Sequence, residues 1–283
     1  MSIEIKEALR RASFCLRRAG FDQPRREAEA LMVSCLGVSL AWIYAHDDEK
    51  PPQETLTRFF ALVDRRIAGE PYAYLAGEKE FMGLPFTVTP DVLIPRPETE
   101  LLVEEARRAL GKSKKPRILD VGVGSGAVAV TLAVLLPEAV VTAVDISGKA
   151  LAVAAKNAAH HGVADRVRLF AGDLYRPVAG EAFDAVISNP PYIPTAEIAG
   201  LQREVRGHEP HLALDGGADG LDIYRRLTAE LTVLASPPPL LAFEVGYNQA
   251  DVVAELCRSA GYKKNRQIND LAGIARVVLA ELL

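Results

Sequence analysis

Over the first 76 residues apolar positions recur every three or four residues. Ile5, Leu9, Ala12, Leu16 and Ala19 share one helical face, ended by Gly20. Ala28, Leu31, Met32 and Cys35 predict a second helix closed by Gly37, and Ser39 is placed to cap a third. After Pro51 and Pro52, the spacing of Leu56, Phe59, Phe60, Val63 and Ile67 predicts another, ended by Gly69 and Pro71. Four or so short helices with one apolar stripe each predict a small bundle over 1–76. The stretch 77–92 changes character. Phe81 to Val88 reads as a β-hairpin pivoting on Gly83, a strap linking the bundle to a second domain over 93–283.

In that second domain a helix running through Leu101, Leu102, Ala106 and Leu110 comes first. Strand and helix then alternate. Strands are predicted at Arg117–Val121, Val140–Asp145, Val167–Ala171, Phe183–Ser188, Leu240–Val245 and Ile274–Leu279. Helices are predicted at Ala127–Leu136, Ala150–His160 and Gln249–Ala260, and a long helix-bearing insertion separates the fourth strand from the fifth. Strands spaced by helices imply an α/β fold with a doubly wound, mostly parallel sheet.

Composition changes this picture little. A chain of 283 residues with 49% hydrophobic and 25% charged residues is ordinary for a globular protein, with room for one large domain or two smaller ones. The net charge of −4 argues against coating nucleic acid by charge alone, and residues 1–80 carry 12 Lys+Arg against 13 Asp+Glu, so no basic arm is present there. Lys112, Lys114, Lys115 and Arg117 form the one basic run and read as solvated linker charge. Cys15, Cys35 and Cys257 are odd in number, widely spaced and set among apolar helical positions. They read as buried thiols in a reducing compartment. The five histidines form no metal-spaced cluster. With no apolar signal-peptide core at the start and no run approaching the ~20 residues that span a bilayer, a cytoplasmic location without membrane attachment is expected.

The candidate chemistry lies at the strand ends. Gly122-Val123-Gly124-Ser125-Gly126 is a tight turn between a strand and a helix, where glycine allows the backbone to bend and a ligand to approach closely. Asp145 ends the next strand, 19 residues beyond Gly126, where an acid accepts hydrogen bonds from ribose hydroxyls. Nicotinamide enzymes share these features. An acid directly before the turn, Asp120, suits instead the cationic amino-acid end of S-adenosylmethionine. Asp173, after the third strand, is placed to receive the adenine amine, or else is only a turn-forming residue.

Asn189-Pro190-Pro191-Tyr192 follows the fourth strand. Two consecutive prolines cannot continue a ladder or a helix, so the chain leaves the sheet stiff and extended, with an amide at the strand's carboxyl end. Such an amide suits methyl transfer to a planar nitrogen. The Asn189 side-chain oxygen and the Pro190 carbonyl can each accept one N–H, aligning the nitrogen lone pair with the methyl–sulfur bond, while the Tyr192 ring lies against a flat acceptor. Adenine's exocyclic amine and glutamine's side-chain amide both fit.

Gly122–Gly126, Asp145 and Asn189–Tyr192 resemble class I S-adenosylmethionine-dependent methyltransferases. Over nearly its whole length the chain further resembles the release factor glutamine methyltransferases. The resemblance lies in Phe81-x-Gly-x-x-Phe86, Ile94-Pro95-Arg96-Pro97-Glu98-Thr99-Glu100, Glu204-Val205-Arg206 with Glu209-Pro210, and Ala213 to Gly217. It continues in Asp219-Gly220-Leu221 with Tyr224-Arg225, and in Asp270 to Gly273 with Arg276-Val277. Val123, Leu174 and His208 depart from residues common in that family.

The resemblance implies a Rossmann-like sheet of seven strands. It also implies methylation of the glutamine in the Gly-Gly-Gln loop of class 1 peptide-chain release factors, in support of translation termination, with the bundle as docking module. S-adenosylmethionine would be converted to S-adenosylhomocysteine without a metal. Gly122, Val123, Gly124, Ser125, Gly126, Asp145, Asp173, Leu174 and Asn189 would hold the cofactor. Asn189, Pro190, Pro191, Tyr192, Phe81 and Arg96 would meet the substrate, with Asn189, Pro190 and Tyr192 catalytic. Arg206 and Glu209 read as a structural ion pair near the site, with direct substrate contact as the alternative. A nucleic-acid adenine methyltransferase is the rival and requires a basic groove and a target-recognition region; direct nucleic-acid binding is not expected here. A non-enzymatic cofactor-binding scaffold is the third reading, and it gives no reason for Asn189 at the strand end.

Overall fold

The computed structural model describes residues 3–282. The chain divides into two units, one holding the chain through Gly77 together with Gln202–His208, the other holding Glu78–Leu201 and Glu209–Leu283.

The first unit contains α1 (Ile5–Arg18), α2 (Pro24–Leu36), α3 (Leu40–Ala45), α4 (Gln53–Ile67) and α5 (Tyr72–Ala76). Pro24 starts α2 at a position where its missing N–H is no loss, Gly37 ends it in the left-handed conformation, and the Ser39 hydroxyl caps α3 by accepting from the Trp42 N–H. Leu9, Leu16, Leu31, Met32 and Phe59 close its core. The chain re-enters this unit at Gln202–His208, which the sequence assigns wholly to the second domain. The buried Arg66 accounts for the difference. Its guanidinium donates to Glu27 Oε2 at 2.8 Å and to Glu204 Oε1 at 2.5 Å, and lies 4.6 Å over the Phe21 ring. Only Cys257 of the three cysteines is buried; Cys35 is half-buried and Cys15 exposed. Cys15 falls between the buried positions of α1, one residue off the apolar stripe.

The second unit opens with the hairpin β1 (Glu78–Phe81) and β2 (Leu84–Thr87). Met82 and Gly83 both have positive φ (54° and 75°), the turn whose twist matches a two-residue hairpin. The Met82 N–H donates to the Glu100 carboxylate, which holds the turn. The hairpin is not a free strap. Phe81 and Phe86 meet edge to face in the core that includes Val130 and Ala154, both rings fully buried.

There follow α6 (Pro97–Leu110), β3 (Arg117–Val121), α7 (Ala127–Leu135), β4 (Val140–Asp145), α8 (Gly148–His160), β5 (Val167–Ala171) and β6 (Ala185–Ser188). In the insertion, α9 (Arg203–His208) belongs to the first unit, and α10 (Asp222–Ala229) returns to the second. The chain closes with β7 (Leu240–Glu244), α11 (Ala250–Ser259), β8 (Lys264–Asn269) and β9 (Ala275–Glu281). The seven strands are ordered β5-β4-β3-β6-β7-β9-β8, parallel from β5 to β7, with β9 antiparallel to both its neighbours. The strand alternation sorts two apolar layers. Ile118, Ile187 and Ala242 face one layer with α6, α7 and α8, and Leu119, Val186 and Phe243 face the other with α10 and α11.

The closing strand is therefore antiparallel, and β8 escapes the sequence pattern altogether. Its residues, Lys-Asn-Arg-Gln-Ile-Asn, are largely exposed, and the β9 ladder rather than a buried face makes it a strand. Among the described residues no helix is long and apolar enough to cross a membrane.

The direction reverses between β3 and β6, which makes the crevice beyond their carboxyl ends the expected ligand site. Phe86→Ala is expected to destabilise the second unit by about 3–5 kcal/mol through the cavity it leaves. Urea unfolding followed through that unit tests this; a midpoint within error of the wild type shows that the hairpin is not part of the core.

Candidate active site

A cavity of about 310 Å³ occupies that crevice. Its walls are the Gly122–Ser125 turn after β3, Asp145 to Ser147 after β4, Gly172 to Leu174 after β5, and Ser188 to Pro191 at the end of β6. Arg96 and Thr99 before and within α6, and Pro210 and Leu212 of the insertion, close the rim.

The glycine turn is built as its spacing suggests. Gly122, Gly124 and Gly126 all have positive φ (82°, 53° and 84°). A Cβ on Gly126 meets Ala154 Cβ at 3.2 Å and Val130 Cγ2 at 3.3 Å, so this glycine lets α7 and α8 approach, whereas a Cβ on Gly124 meets nothing within 4 Å. Asp145 reads the turn from the next strand: Oδ2 accepts from the Gly124 N–H at 2.9 Å and Oδ1 from the Ser147 N–H at 2.8 Å. Each oxygen retains a lone pair for a further donor.

Asp120 is 1% exposed, and its Oδ2 has no hydrogen-bond partner. Burial, with the nearby Asp145 charge as a lesser contribution, pushes its carboxyl up to about 7. A buried unpaired carboxyl on a cavity wall asks for a cationic or hydrogen-bond-donating ligand group. Asp173 also lines the cavity, with Oδ2 accepting from Arg226 Nη2 at 2.7 Å; that guanidinium holds its carboxyl below the usual range. Leu174 stands beside it on the cavity wall at φ 49°, a backbone conformation costly for a bulky side chain.

On the acceptor side, the Ser188 hydroxyl donates to the Val121 carbonyl at 2.6 Å and ties the end of β6 to that of β3. Asn189 Nδ2 donates to Thr99 Oγ1 at 3.0 Å, leaving Oδ1 for the cavity that Asn189 lines. Pro190 and Pro191 line it too. Glycines shape the far side of this loop. A Cβ on Gly216 falls 2.8 Å from the Pro191 carbonyl oxygen, and one on Gly220 2.3 Å from that of Tyr192.

Three expected substrate contacts sit differently. The Tyr192 ring does not line the cavity; it packs on the layer with α10 and α11, beside Gly246, where a Cβ would stand 2.9 Å from its Cδ2. Burial pushes its hydroxyl up to about 12. Phe81 is buried in the hairpin core, outside the cavity, because its pairing with Phe86 anchors the hairpin. Arg96 does reach the rim, but its Nη2 donates to Glu209 Oε1 at 2.6 Å. Glu209 is buried and also accepts from the Ile94 N–H, so the ion pair expected of Glu209 is made with Arg96 and pins the segment before α6.

Sequence reasoning missed three residues. Asn157 of α8 is fully buried: Nδ2 donates to the Ser125 and Thr87 carbonyls, and Oδ1 accepts from the Thr87 N–H, clamping the glycine turn to β2. Thr99 reads in sequence as part of a helix start. Glu244 is the lone acid in an apolar strand, a signal present in the sequence, since buried carboxylates are rare without a task.

A doubly wound sheet with a glycine turn and an acid at its switch point fits a class I methyltransferase. The comparisons agree. Residues 7–77 match the model of the PrmC N-terminal domain and residues 97–216 that of the methyltransferase small domain. The chain is 45% identical over 277 residues to the release factor glutamine methyltransferase of Moorella thermoacetica, covering 98% of each chain. To that of Geobacter sulfurreducens it is 43% identical over 263 residues, covering 93% of this chain and 91% of the other. The chain belongs to the release factor glutamine methyltransferase family. Among solved structures, the hMettl16 catalytic domain in complex with MAT2A 3'UTR hairpin 6 shares the fold at a TM-score of 0.56 and 13% identity, covering 83% of this chain and 85% of that one. A methyltransferase from Pyrococcus furiosus does so at 0.50 and 18%, covering 81% and 98%.

S-adenosylmethionine is the methyl donor of this class, and the site fits it: a positive-φ glycine cradle, an acid with spare acceptor capacity and an orphaned buried carboxyl. Asp120, protonated in a good share of free molecules near neutral pH, should ionise against the ligand's ammonium. Binding of S-adenosylhomocysteine at pH 6.5 is therefore expected to release part of a proton, seen as a calorimetric enthalpy that varies with buffer ionisation heat. Asp120→Asn should abolish that variation; its persistence in the variant rules out Asp120 as the source.

Proposed function

We propose that this chain methylates the side-chain amide nitrogen of the glutamine in the Gly-Gly-Gln motif of class 1 peptide-chain release factors, and so serves translation termination. Family membership supports the substrate. The observation that carries the chemistry is the held amide of Asn189, its NH2 end taken by Thr99 and its oxygen left at a cavity walled by the glycine turn.

Gly122, Val123, Gly124, Ser125 and Gly126 would hold the cofactor's amino-acid end, with Asp120 facing its ammonium. Asp145 would accept from the ribose. Asp173, whose Oδ1 is left while Arg226 takes Oδ2, would accept from the adenine amine beside Leu174. When bound, S-adenosylmethionine supplies a methyl group on a sulfonium, a leaving group that requires no metal or strong base.

An amide nitrogen is a poor nucleophile because its lone pair is delocalised into the carbonyl. Asn189 Oδ1 and the Pro190 carbonyl accept its two N–H bonds, which orient the nitrogen and favour the form in which it gains positive charge. The two prolines keep both acceptors in place, so little reorganisation accompanies reaction. One N–H proton then leaves to solvent as the new C–N bond is completed. The helical unit, matched by the PrmC N-terminal domain model, would dock the release factor.

Incubation with methyl-labelled S-adenosylmethionine should label purified release factor, with mass spectrometry placing 14 Da on the motif glutamine (the mass of a CH2), and should leave duplex DNA unlabelled. Label on DNA with release factor untouched overturns the reading. Asn189→Ala should hold S-adenosylhomocysteine affinity within about tenfold (~1.4 kcal/mol) while kcat falls about 100-fold or more. Joint loss of cofactor affinity would assign Asn189 to cofactor binding instead.

A further inference from the structure

The two most exposed large apolar side chains among the described residues stand at one end of the second unit: Leu271, 110% exposed, and Tyr247, 69%. Single exposed apolar residues are common on any protein. These two differ in where they stand and in how firmly they are held. Tyr247 lies in the loop after β7, and Leu271 at the tip of the turn between β8 and β9. Because β9 runs antiparallel to both its neighbours, β8 points the same way as β6 and β7. Both side chains therefore lie at the end of the sheet that carries Asn189.

Hydrogen bonds join the loops at this end into one continuous rim. Gln249 Nε2 donates to the Tyr192 carbonyl at 2.9 Å, and Gln249 Oε1 accepts from the Gly246 N–H at 3.0 Å, which ties the loop of Tyr247 to the loop of Asn189. Asn248 takes the left-handed turn that follows Tyr247 (φ 62°), a conformation asparagine tolerates. The Val245 N–H donates to the Arg276 carbonyl at 2.8 Å, and Arg276 Nε donates to Asp270 Oδ2 at 2.9 Å. Asp270 Oδ1 accepts from the Ala272 and Ile274 N–H groups, closing the turn around Leu271. The backbone of a turn fixed in this way has little freedom to lose when a partner covers its side chain.

We propose that Tyr247 and Leu271 form the docking surface for the release factor residues that flank the motif glutamine. The proposal rests on the reading of Asn189 as the amide that receives that glutamine. The expected cofactor residues, Gly122 to Gly126, Asp145 and Asp173, follow β3, β4 and β5, so the cofactor takes that half of the sheet's end. A macromolecular substrate that brings its glutamine to Asn189 must then lie over the other half, beyond β6, β7, β9 and β8. Three strand spacings, about 14 Å, separate β6 from β8, the span of about four extended residues. The complement of Leu271 and the Tyr247 ring is an apolar side chain beside the glutamine, and the Tyr247 hydroxyl can bond to a backbone amide of the same segment.

The test compares wild type, Tyr247→Ser, Leu271→Ser and the double variant as full chains. It measures kcat and KM for release factor, S-adenosylhomocysteine affinity by calorimetry, and oligomeric state by sedimentation. Both side chains face solvent, so the fold does not depend on them, and retained cofactor affinity certifies each variant. Each single substitution should raise KM for release factor about 10-fold and the pair about 100-fold, with kcat and cofactor affinity within about threefold. That split is expected when a contact made equally in the ground and transition states is lost. With p-benzoylphenylalanine in place of Leu271, irradiation should cross-link release factor within about six residues of the motif glutamine, as located by mass spectrometry. A double variant with KM within about threefold of wild type, or cross-links confined to other parts of release factor, overturns the proposal. So does a wild-type dimer that the double variant makes monomeric at unchanged KM, which assigns the surface to a second copy of this chain. A wild type that leaves release factor unmethylated is a separate result and overturns the functional reading itself.

Discussion

The catalytic end of the molecule depends on one constraint, that β3 and β6 are parallel neighbours from which the chain winds off in opposite senses. The turn that leaves β3 and the turn that leaves β6 are thereby set side by side with no helix between them. Ser188 secures the junction by donating to the Val121 carbonyl. A donor site and an acceptor site built on the ends of two paired strands inherit the rigidity of the sheet, which is what a reaction governed by alignment requires.

Around that junction the protein leaves polar groups in arrangements that a purely structural core avoids. Asp120 and Glu244 are both buried, both have an oxygen without a partner, and both are pushed toward neutrality by desolvation. They lie at the carboxyl ends of β3 and β7, which flank β6. Asp120 lines the cavity, and Glu244 lies outside its lining. Leu174 adds a strained backbone at the same end of the sheet. A buried carboxyl with unused capacity on a cavity wall, as at Asp120, is costly to stability and makes sense when a ligand uses it.

Second-layer contacts explain why residues distant in sequence belong to one site. Asn157 uses both its N–H donors and its oxygen to join the glycine turn to β2, and Glu209 holds Arg96 at the rim and the Ile94 N–H beside it. The Pro-Arg-Pro-Glu-Thr-Glu string accordingly does more than begin a helix. Arg96 anchors the rim, Thr99 holds Asn189, and Glu100 holds the hairpin turn.

The sequence by itself determined the helical character of the stretch up to residue 76, six of the seven strands, the glycine turn, Asp145 and Asn189 at strand ends, and the family. These are local properties: periodicity, φ requirements at glycine and proline, and residue types at fixed offsets from a strand. Tertiary structure alone decided what depends on pairing across the chain. The polar β8 becomes a strand because β9 offers it a ladder, and Gln202–His208 joins the helical unit because Arg66 is buried there and needs Glu204. Phe81 turns into the core rather than the site, and the Tyr192 ring packs away from the cavity because Gly246 leaves room for it. The direction of the Asn189 amide is likewise invisible in the motif. It is set by a threonine 90 residues earlier, since a hydrogen bond's direction is fixed by its partners and the partners meet only when the sheet has formed.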